Sequence, residues 1–253
     1  MSQPAHGGRV GLRLGCPRLH LRVTDSTNDR ARELAVAGAP HGTLVTASEQ
    51  TAGRGRRGRR WTAPANSAIL MSLLLCSPPP LLPLIAAVAV CDAVGTEAQI
   101  KWPNDIVLVA AAPAPMRKLA GILAEGRPQQ GWAVLGIGVN VAVRLSDMPP
   151  ELREGEPRVG APMPAATLGE EERELEPVLG RVLEALQRRL GQPAEETLRA
   201  WRARDALLGR EIGWAGGHGR AAGIDGEGRL IVALEGGGRT ALSAGEVHLE
   251  SIV

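Results

Sequence analysis

Gly53-Arg54-Gly55-Arg56-Arg57-Gly58-Arg59-Arg60-Trp61 carries more information than any other stretch of the chain. Five arginines fall within positions 54–60, and their mutual repulsion makes the segment costly to order without an anion. The glycines at 53, 55 and 58 let the backbone approach a ligand and turn its N–H groups toward it. Guanidinium groups match phosphate and carboxylate oxygens two at a time. Such a loop is expected to be mobile when empty and to close over a polyanion. Three readings compete: a solvated basic loop, an RGG-type nucleic-acid contact, and a clamp for nucleotide phosphates. The chain has no Gly-x-x-x-x-Gly-Lys-[Ser/Thr] run and no Rossmann fingerprint, so a clamp here is of another kind. The nucleic-acid reading is weakened by the absence of interleaved aromatics.

Composition narrows the field. With 253 residues, 44% of them hydrophobic, the chain can bury one sizeable core and a small satellite. A formal net charge of +2 gives no global field for nucleic acid or membrane, so any positive patch is local. Three cysteines (Cys16, Cys76 and Cys91) are odd in number and lack CxxC pairing. That argues against a disulfide framework and a zinc site, and fits a reducing cytoplasm. Residues 1–15 lack the apolar run of a secretory signal. The charge-free stretch 61–91 is interrupted by Pro78, Pro79, Pro80 and Pro83, a poor fit to a span of roughly 20 apolar residues. No membrane association is expected.

Outward from the loop, residues 24–38 read as a helix, with Ser26 and Asp29 at capping-box spacing and Gly38 as its stop. Strands are predicted over 44–47, 69–76, 99–102, 106–109, 119–124 and 132–141, with a buried helix over 81–94 and a turn at Pro103-Asn104. Residues 145–167 read as a loop. Val178, Leu179, Val182, Leu183, Leu186 and Leu190 recur at helical spacing up to Gly191, and a second helix runs from 194 to about 204. Beyond Gly209 the texture becomes short strands between glycines, at 220–224, 229–234, 239–242 and 246–252. The expected fold is therefore α+β: a mixed β-sheet packed on helices, plus a small C-terminal five-stranded barrel of SH3-like size. The division is a leader or edge strand over 1–18, a main domain over 19–206 and the β-module over 207–253.

The loop keeps informative company. Upstream stand Thr24-Asp25-Ser26-Thr27-Asn28 and Gln50-Thr51-Ala52. Downstream stand Lys101-Trp102-Pro103-Asn104-Asp105, Arg117-Lys118-Leu119-Ala120-Gly121-Ile122-Leu123 and Gly136-Ile137-Gly138-Val139-Asn140. In this order and spacing the chain resembles the biotin–protein ligases, which biotinylate the carrier domain of biotin-dependent carboxylases. The resemblance runs from about Val23 to the C-terminus, including Ile224-Asp225-Gly226 and Ser243-Ala244-Gly245-Glu246-Val247.

That resemblance implies a class II synthetase-like catalytic domain, a cytoplasmic enzyme, and two half-reactions in one site. Biotin and ATP, with Mg²⁺, give biotinyl-5′-AMP, and a lysine of a biotin carboxyl carrier protein then displaces AMP. Lys118 is implied beside the biotin carboxylate and the α-phosphate, with Arg54 and Arg56 on the closing loop as its catalytic partners. For biotin, the implied contacts are Ser26, Thr27, Asn28, Gln50, Gly53 and Gly55, with Arg54, Arg56, Lys118 and Gly121; short hydroxyls and amides suit a ureido ring that donates and accepts hydrogen bonds. Arg57, Trp61, Asn104 and Asn140 join Arg54, Arg56 and Lys118 around the nucleotide, and Asp105 is the Mg²⁺ candidate. Alternatives stay open: Trp61 covers the ligand or packs in the core, and Asn104-Asp105 is also an ordinary turn pair. Trp102, between Ile100 and Ile106, is expected in the core.

Two departures stand out. Where the family has Pro-x-Gly, this chain has Pro64-Ala65-Asn66, and Asn66 tolerates left-handed geometry. Where an aromatic is common, it has Leu70. Many relatives carry an N-terminal winged helix-turn-helix; too few residues precede the first motif for one here, so no DNA binding is expected. Homodimers occur in the family, but no residue specifies an interface. Transfer of lipoate or octanoate is the rival chemistry on the same architecture, disfavoured by the Gly-Arg loop and the absence of a persuasive cysteine nucleophile. An RGG-type RNA-binding module is the remote alternative.

Overall fold

The computed structural model describes residues 13–95, 97–109, 115–127, 130–154, 162–243 and 247–249. Residues 1–12 of the expected leader, 244–246 of the last motif and 250–252 of the last strand lie outside them. The chain runs β1 (Arg18–Thr24), α1 (Thr27–Val36), β2 (Leu44–Gln50), β3 (Ala68–Cys76), α2 (Leu82–Val94), β4 (Ala98–Lys101) and β5 (Asp105–Leu108). It continues through β6 (Arg117–Arg127), β7 (Trp132–Asn140), α3 (Pro150–Arg153), α4 (Leu175–Leu190) and α5 (Ala194–Arg202). Five short strands follow: β8 (Glu211–Trp214), β9 (Gly217–Ile224), β10 (Leu230–Ala233), β11 (Arg239–Leu242) and β12 (His248–Leu249).

The first seven strands form one sheet in the order β1-β2-β3-β7-β6-β5-β4. Only β1 and β2 pair in parallel, so the sheet is mixed as expected. Continuous hydrophobicity puts β3 in its interior: Ala68–Cys76 is apolar except at Ser72, and both its faces are covered. Helix α1 lies on one face, where Ala31 packs with Val45 and Val134. Helix α2 lies on the other; its Ala/Val-rich sequence is apolar except at Asp92 and almost wholly buried. It is covered in turn by α4 and α5, whose apolar faces bury Val178, Val182, Leu186, Leu198 and Trp201.

The C-terminal strands form a second, antiparallel five-stranded sheet in the order β11-β10-β9-β8-β12, the small module the sequence announces. Its core is continuous with the first: Ile212, Ala221, Leu230, Val232 and Val247 share one cluster with Leu84, Ile100 and Trp102. The Trp102 indole donates to the Gly228 carbonyl at 3.1 Å, and Lys101 Nζ donates to the Val247 carbonyl at 2.8 Å. Trp102 is a core residue, as its apolar neighbours suggest.

Three expectations need correction. Residues 18–24 are strand β1, at the edge of the sheet, and 211–214 are strand β8; neither is anticipated. The capping box does not form, since the Ser26 side chain makes no cap hydrogen bond and the Asp29 carboxylate accepts from Arg32 at 2.6 Å and Arg54 at 2.7 Å instead. The loop over 145–167 holds a 3-10 turn at Leu145–Asp147 and the short α3. Its end lies beside β6: Lys118 N donates to Pro164 O at 2.7 Å, and Ala166 N donates to Lys118 O at 2.7 Å.

Candidate active site

The arginine loop is a hydrogen-bonded hairpin, here called the flap. Trp61 N donates to Gly53 O at 3.0 Å and Gly55 N to Arg59 O at 2.7 Å, and Arg54 pairs with Arg60 as an isolated β-bridge. A 3-10 turn at Arg56–Gly58 reverses the chain, with Arg57 at φ 56° and Gly58 at φ 75°. Gly53 is required by close approach, because a Cβ there would collide with the Trp61 carbonyl and lie 2.9 Å from Gln50 Nε2. Behind the flap, Asn66 adopts φ 58°, so the family's turn survives its change of residue.

The flap places Trp61 on the sheet. Gly121 and Gly138 stand opposite each other on β6 and β7, and a Cβ on Gly138 would lie 2.7 Å from Cζ2 and Nε1 of the indole. Lys118 Nζ sits 5.7 Å from the centroid of the same ring, within cation–π range, and 2.6 Å from Asp105 Oδ1. Loop and lysine thus share one site. The indole N–H of Trp61 is buried and, among the described residues, has no acceptor. The indole also packs against the cluster containing Leu70, Val143 and Met148, so Leu70, the cross-strand neighbour of Gly138, fills apolar space where the family's aromatic is expected.

The turn between β4 and β5 closes the opposite wall. Asn104 Nδ2 donates to Ile122 O at 2.9 Å, and its Oδ1 accepts from Arg56 Nη1 at 3.1 Å. Burial disfavours the Arg56 charge and brings its pKa down; Asp105 opposes that shift, while Arg57 and Arg59 add to it. Burial likewise pushes Lys101 below its ordinary value against the pull of Asp105, with Lys118 and Arg59 reinforcing the drop. The site is therefore crowded with cations around one carboxylate. It is arranged to welcome an anion.

Beside it, on the same face of the sheet, lies a polar floor: Asn28 stands against Gly136, two residues along β7 from the Gly138 that meets Trp61. Ser26, Thr27 and Asn28 are buried, at 1%, 3% and 4% exposure. Gln50 Oε1 accepts from Thr27 N at 2.7 Å and from Thr27 Oγ1 at 3.1 Å. Ser72 Oγ lies 2.8 Å from Thr27 Oγ1 and 2.5 Å from Asn28 Oδ1, and a Cβ on Gly136 would collide with the Asn28 amide. Ser72 is a residue the sequence reading missed, although one hydroxyl inside an otherwise apolar strand is itself a signal. Glu125 was missed too: it accepts from Asn28, Arg32 and Arg54.

The remaining candidates divide. The Arg54 guanidinium is engaged by Asp29 and Glu125; Arg57 is exposed on the flap. Asn140 is 3% exposed, its amide donating to Ala166 O at 2.9 Å, where it joins β7 to the strand-like segment beside Lys118. Asp105 suits Mg²⁺ in kind, since that ion takes one or two carboxylates along with substrate phosphates. Among the described residues no group of three or more His, Cys, Asp or Glu could form a metal cage. No helix among them is long and apolar enough to cross a membrane.

Residues 20–141 match the Biotin/lipoate A/B protein ligase family, and residues 208–249 match the Biotin protein ligase C terminal domain. The biotin--[acetyl-CoA-carboxylase] ligase of Paracoccus denitrificans is 36% identical over 248 residues, 90% of this chain and 98% of that protein. The bifunctional ligase/repressor BirA of Bacillus subtilis is 40% identical over 161 residues, which cover 58% of this chain and 48% of that protein. This chain thus matches about half the length of that relative. The biotin protein ligase of Aquifex aeolicus, solved in complex with biotin and ATP, aligns with a TM-score of 0.73 at 25% identity, covering 92% of this chain and 98% of that one.

Proposed function

The chain belongs to the biotin protein ligase family, and from that premise we propose that it activates biotin with ATP and transfers it to a lysine of a biotin carboxyl carrier protein in the cytoplasm. One observation carries the reading: Lys118 lies directly under the tryptophan of the arginine flap, in contact with the carboxylate of Asp105. Residues 19–206 are the catalytic unit and 207–253 the accessory module.

In the first half-reaction the biotin carboxylate attacks the α-phosphorus of ATP, biotinyl-5′-AMP forms, and pyrophosphate leaves. In the second, the neutral acceptor amine attacks the mixed anhydride, an amide forms, AMP departs, and the amine proton passes to solvent. Neither step needs a covalent enzyme nucleophile. What the first needs is cations that hold two repelling anions together, and fixed donors do this without reorganisation. Lys118 exchanges Asp105 for the biotin carboxylate and α-phosphate, Arg56 exchanges Asn104 for phosphate oxygens, and the released Asp105 can hold Mg²⁺. Thr27, Asn28 and Gln50 offer the donors and acceptors that a ureido ring requires, with Ser26 beside them. Trp61 covers the ligand, and its unsatisfied N–H is available to an acceptor.

The test is direct: incubate the protein with ATP, Mg²⁺, labelled biotin and an isolated carrier domain. Label is expected on the carrier lysine, with AMP and pyrophosphate released in step. Transfer of lipoate in preference to biotin, or no ATP-dependent transfer, overturns the proposal.

A further inference from the structure

We propose that Asp29 and Glu125 are positioning residues that hold the flap in its working pose through the Arg54 side chain, so that its guanidinium acts as a latch and not as a ligand for phosphate. The inference rests on the function proposed above. Arg54 Nη1 donates to Asp29 Oδ1 at 2.7 Å and Nη2 to Glu125 Oε1 at 3.0 Å. Arg32 bridges the same two carboxylates from the other side, at 2.6 Å to Asp29 and 2.9 Å to Glu125. Two cations and two anions therefore alternate in a closed, electrically neutral ring joining α1, β6 and the flap. A guanidinium is the group able to span two carboxylates at once.

The ring reaches the flap and the polar floor together. Arg54 sits at the base of the flap, paired with Arg60 and next to the Gly53–Trp61 backbone bond. Fixing it fixes the hairpin and, through it, Trp61. On the other side Glu125 accepts from Asn28 Nδ2 at 2.9 Å, and Asn28 in turn is bonded to Ser72. A disturbance at the floor is thus transmitted to the flap through one carboxylate. If Arg54 were instead a direct ligand for phosphate, Asp29 and Glu125 would be competitors for it. The two possibilities differ in sign.

The test uses Asp29→Asn, Glu125→Gln and Arg54→Lys, none of which changes the number of trypsin sites. If the latch operates, the first two raise KM for biotin about tenfold while kcat stays within about twofold, as expected for coupling within one ion-pair network. Arg54→Lys behaves like them despite keeping its charge, because an ammonium does not bridge both carboxylates. All three accelerate trypsin cleavage within 54–60, a readout that needs only a folded chain and is therefore independent of whether the substrate is biotin. A fall in KM on neutralising the carboxylates overturns the proposal, as does an unchanged rate of flap cleavage. Failure of the wild-type protein to label a carrier would instead strike the functional reading.

Discussion

Single side chains carry the chemistry, and Lys118 offers the sharpest test. The Lys118 side chain is 27% exposed, paired with Asp105 and set against the Trp61 ring. We predict that Lys118→Ala folds with little change in Tm but releases pyrophosphate from biotin and ATP on the order of 10²–10³ times more slowly; unimpaired release removes Lys118 from the mechanism. A second residue-scale prediction concerns Gly138. An alanine Cβ would press on the Trp61 indole, so Gly138→Ala is expected to displace the ring and weaken biotin binding, at a cost in stability of about 1–3 kcal/mol. Equilibrium dialysis with labelled biotin and thermal melts check both parts, and unaltered binding would contradict the placement of Trp61 over the site. Lys118 was legible only through the motif around it, because a lysine on a strand has no distinguishing pattern. Glu125 was not legible at all: its partner Arg54 is 71 positions away in the chain, and a carboxylate says nothing of which cation it will meet.

Local pattern did better at the scale of elements. Helix α2 was readable from its unbroken apolar run after the prolines, and α4 from its repeat ending at Gly191. Strand β1 was missed although Arg18–Thr24 alternates with period two, because one exposed edge strand lying among leader residues has no hydrophobic run to announce it. Strand β8 has only four residues, too few for alternation to register. What pins the helices together is a feature no periodicity reveals. Asp92, on α2, accepts from Arg188 at 2.9 Å and Arg189 at 2.7 Å on α4, and from Arg204 at 3.0 Å just beyond α5. Burial on its own raises the Asp92 carboxyl, but the hydrogen bonds from Arg189 and Arg188 and the charges of Arg189 and Arg204 outweigh it and hold the pKa below the usual carboxylate range. A depressed folded pKa contributes stability that is present above the unfolded value, about 4, and is lost as pH falls through the folded one. Asp92→Asn is therefore expected to lower stability at pH 7 by about 2 kcal/mol, the worth of hydrogen bonds to a charged group. The gap in Tm between the variant and the wild type should close as pH drops below about 4. A gap that stays constant with pH would show that charge at Asp92 is not what matters.

At the scale of the whole molecule, the question is whether the C-terminal module is a separate unit or part of one body. The change of texture beyond Gly209 was visible in the sequence, but its attachment was not, since Trp102 gives no hint that its indole reaches Gly228. Apolar burial decides the matter energetically. Trp102 is 2% exposed, Lys101 donates to Val247 O, and Leu84 lies against Gly228, where a Cβ would come within 2.8 Å of its Cδ2. The two sheets therefore stabilise each other through shared core, and neither can unfold without exposing the other's apolar surface. Calorimetry of the wild-type chain is expected to give one cooperative transition, with the calorimetric and van't Hoff enthalpies equal. Trp102→Ala removes the plug at the junction and should cost about 3–5 kcal/mol, enough to uncouple the halves into two transitions. Trp102→Phe keeps most of the packing and loses only the bond to Gly228, so one transition should persist at slightly lower Tm. Because Lys101 and Trp102 lead through Pro103 into the Asn104-Asp105 pair, whose carboxylate meets Lys118, uncoupling should also slow pyrophosphate release in the alanine variant more than in the phenylalanine one. Two transitions in the wild type would mean that the shared core is too weak to join the sheets, and the module would then have to act on the site by some route other than the Lys101–Asp105 turn.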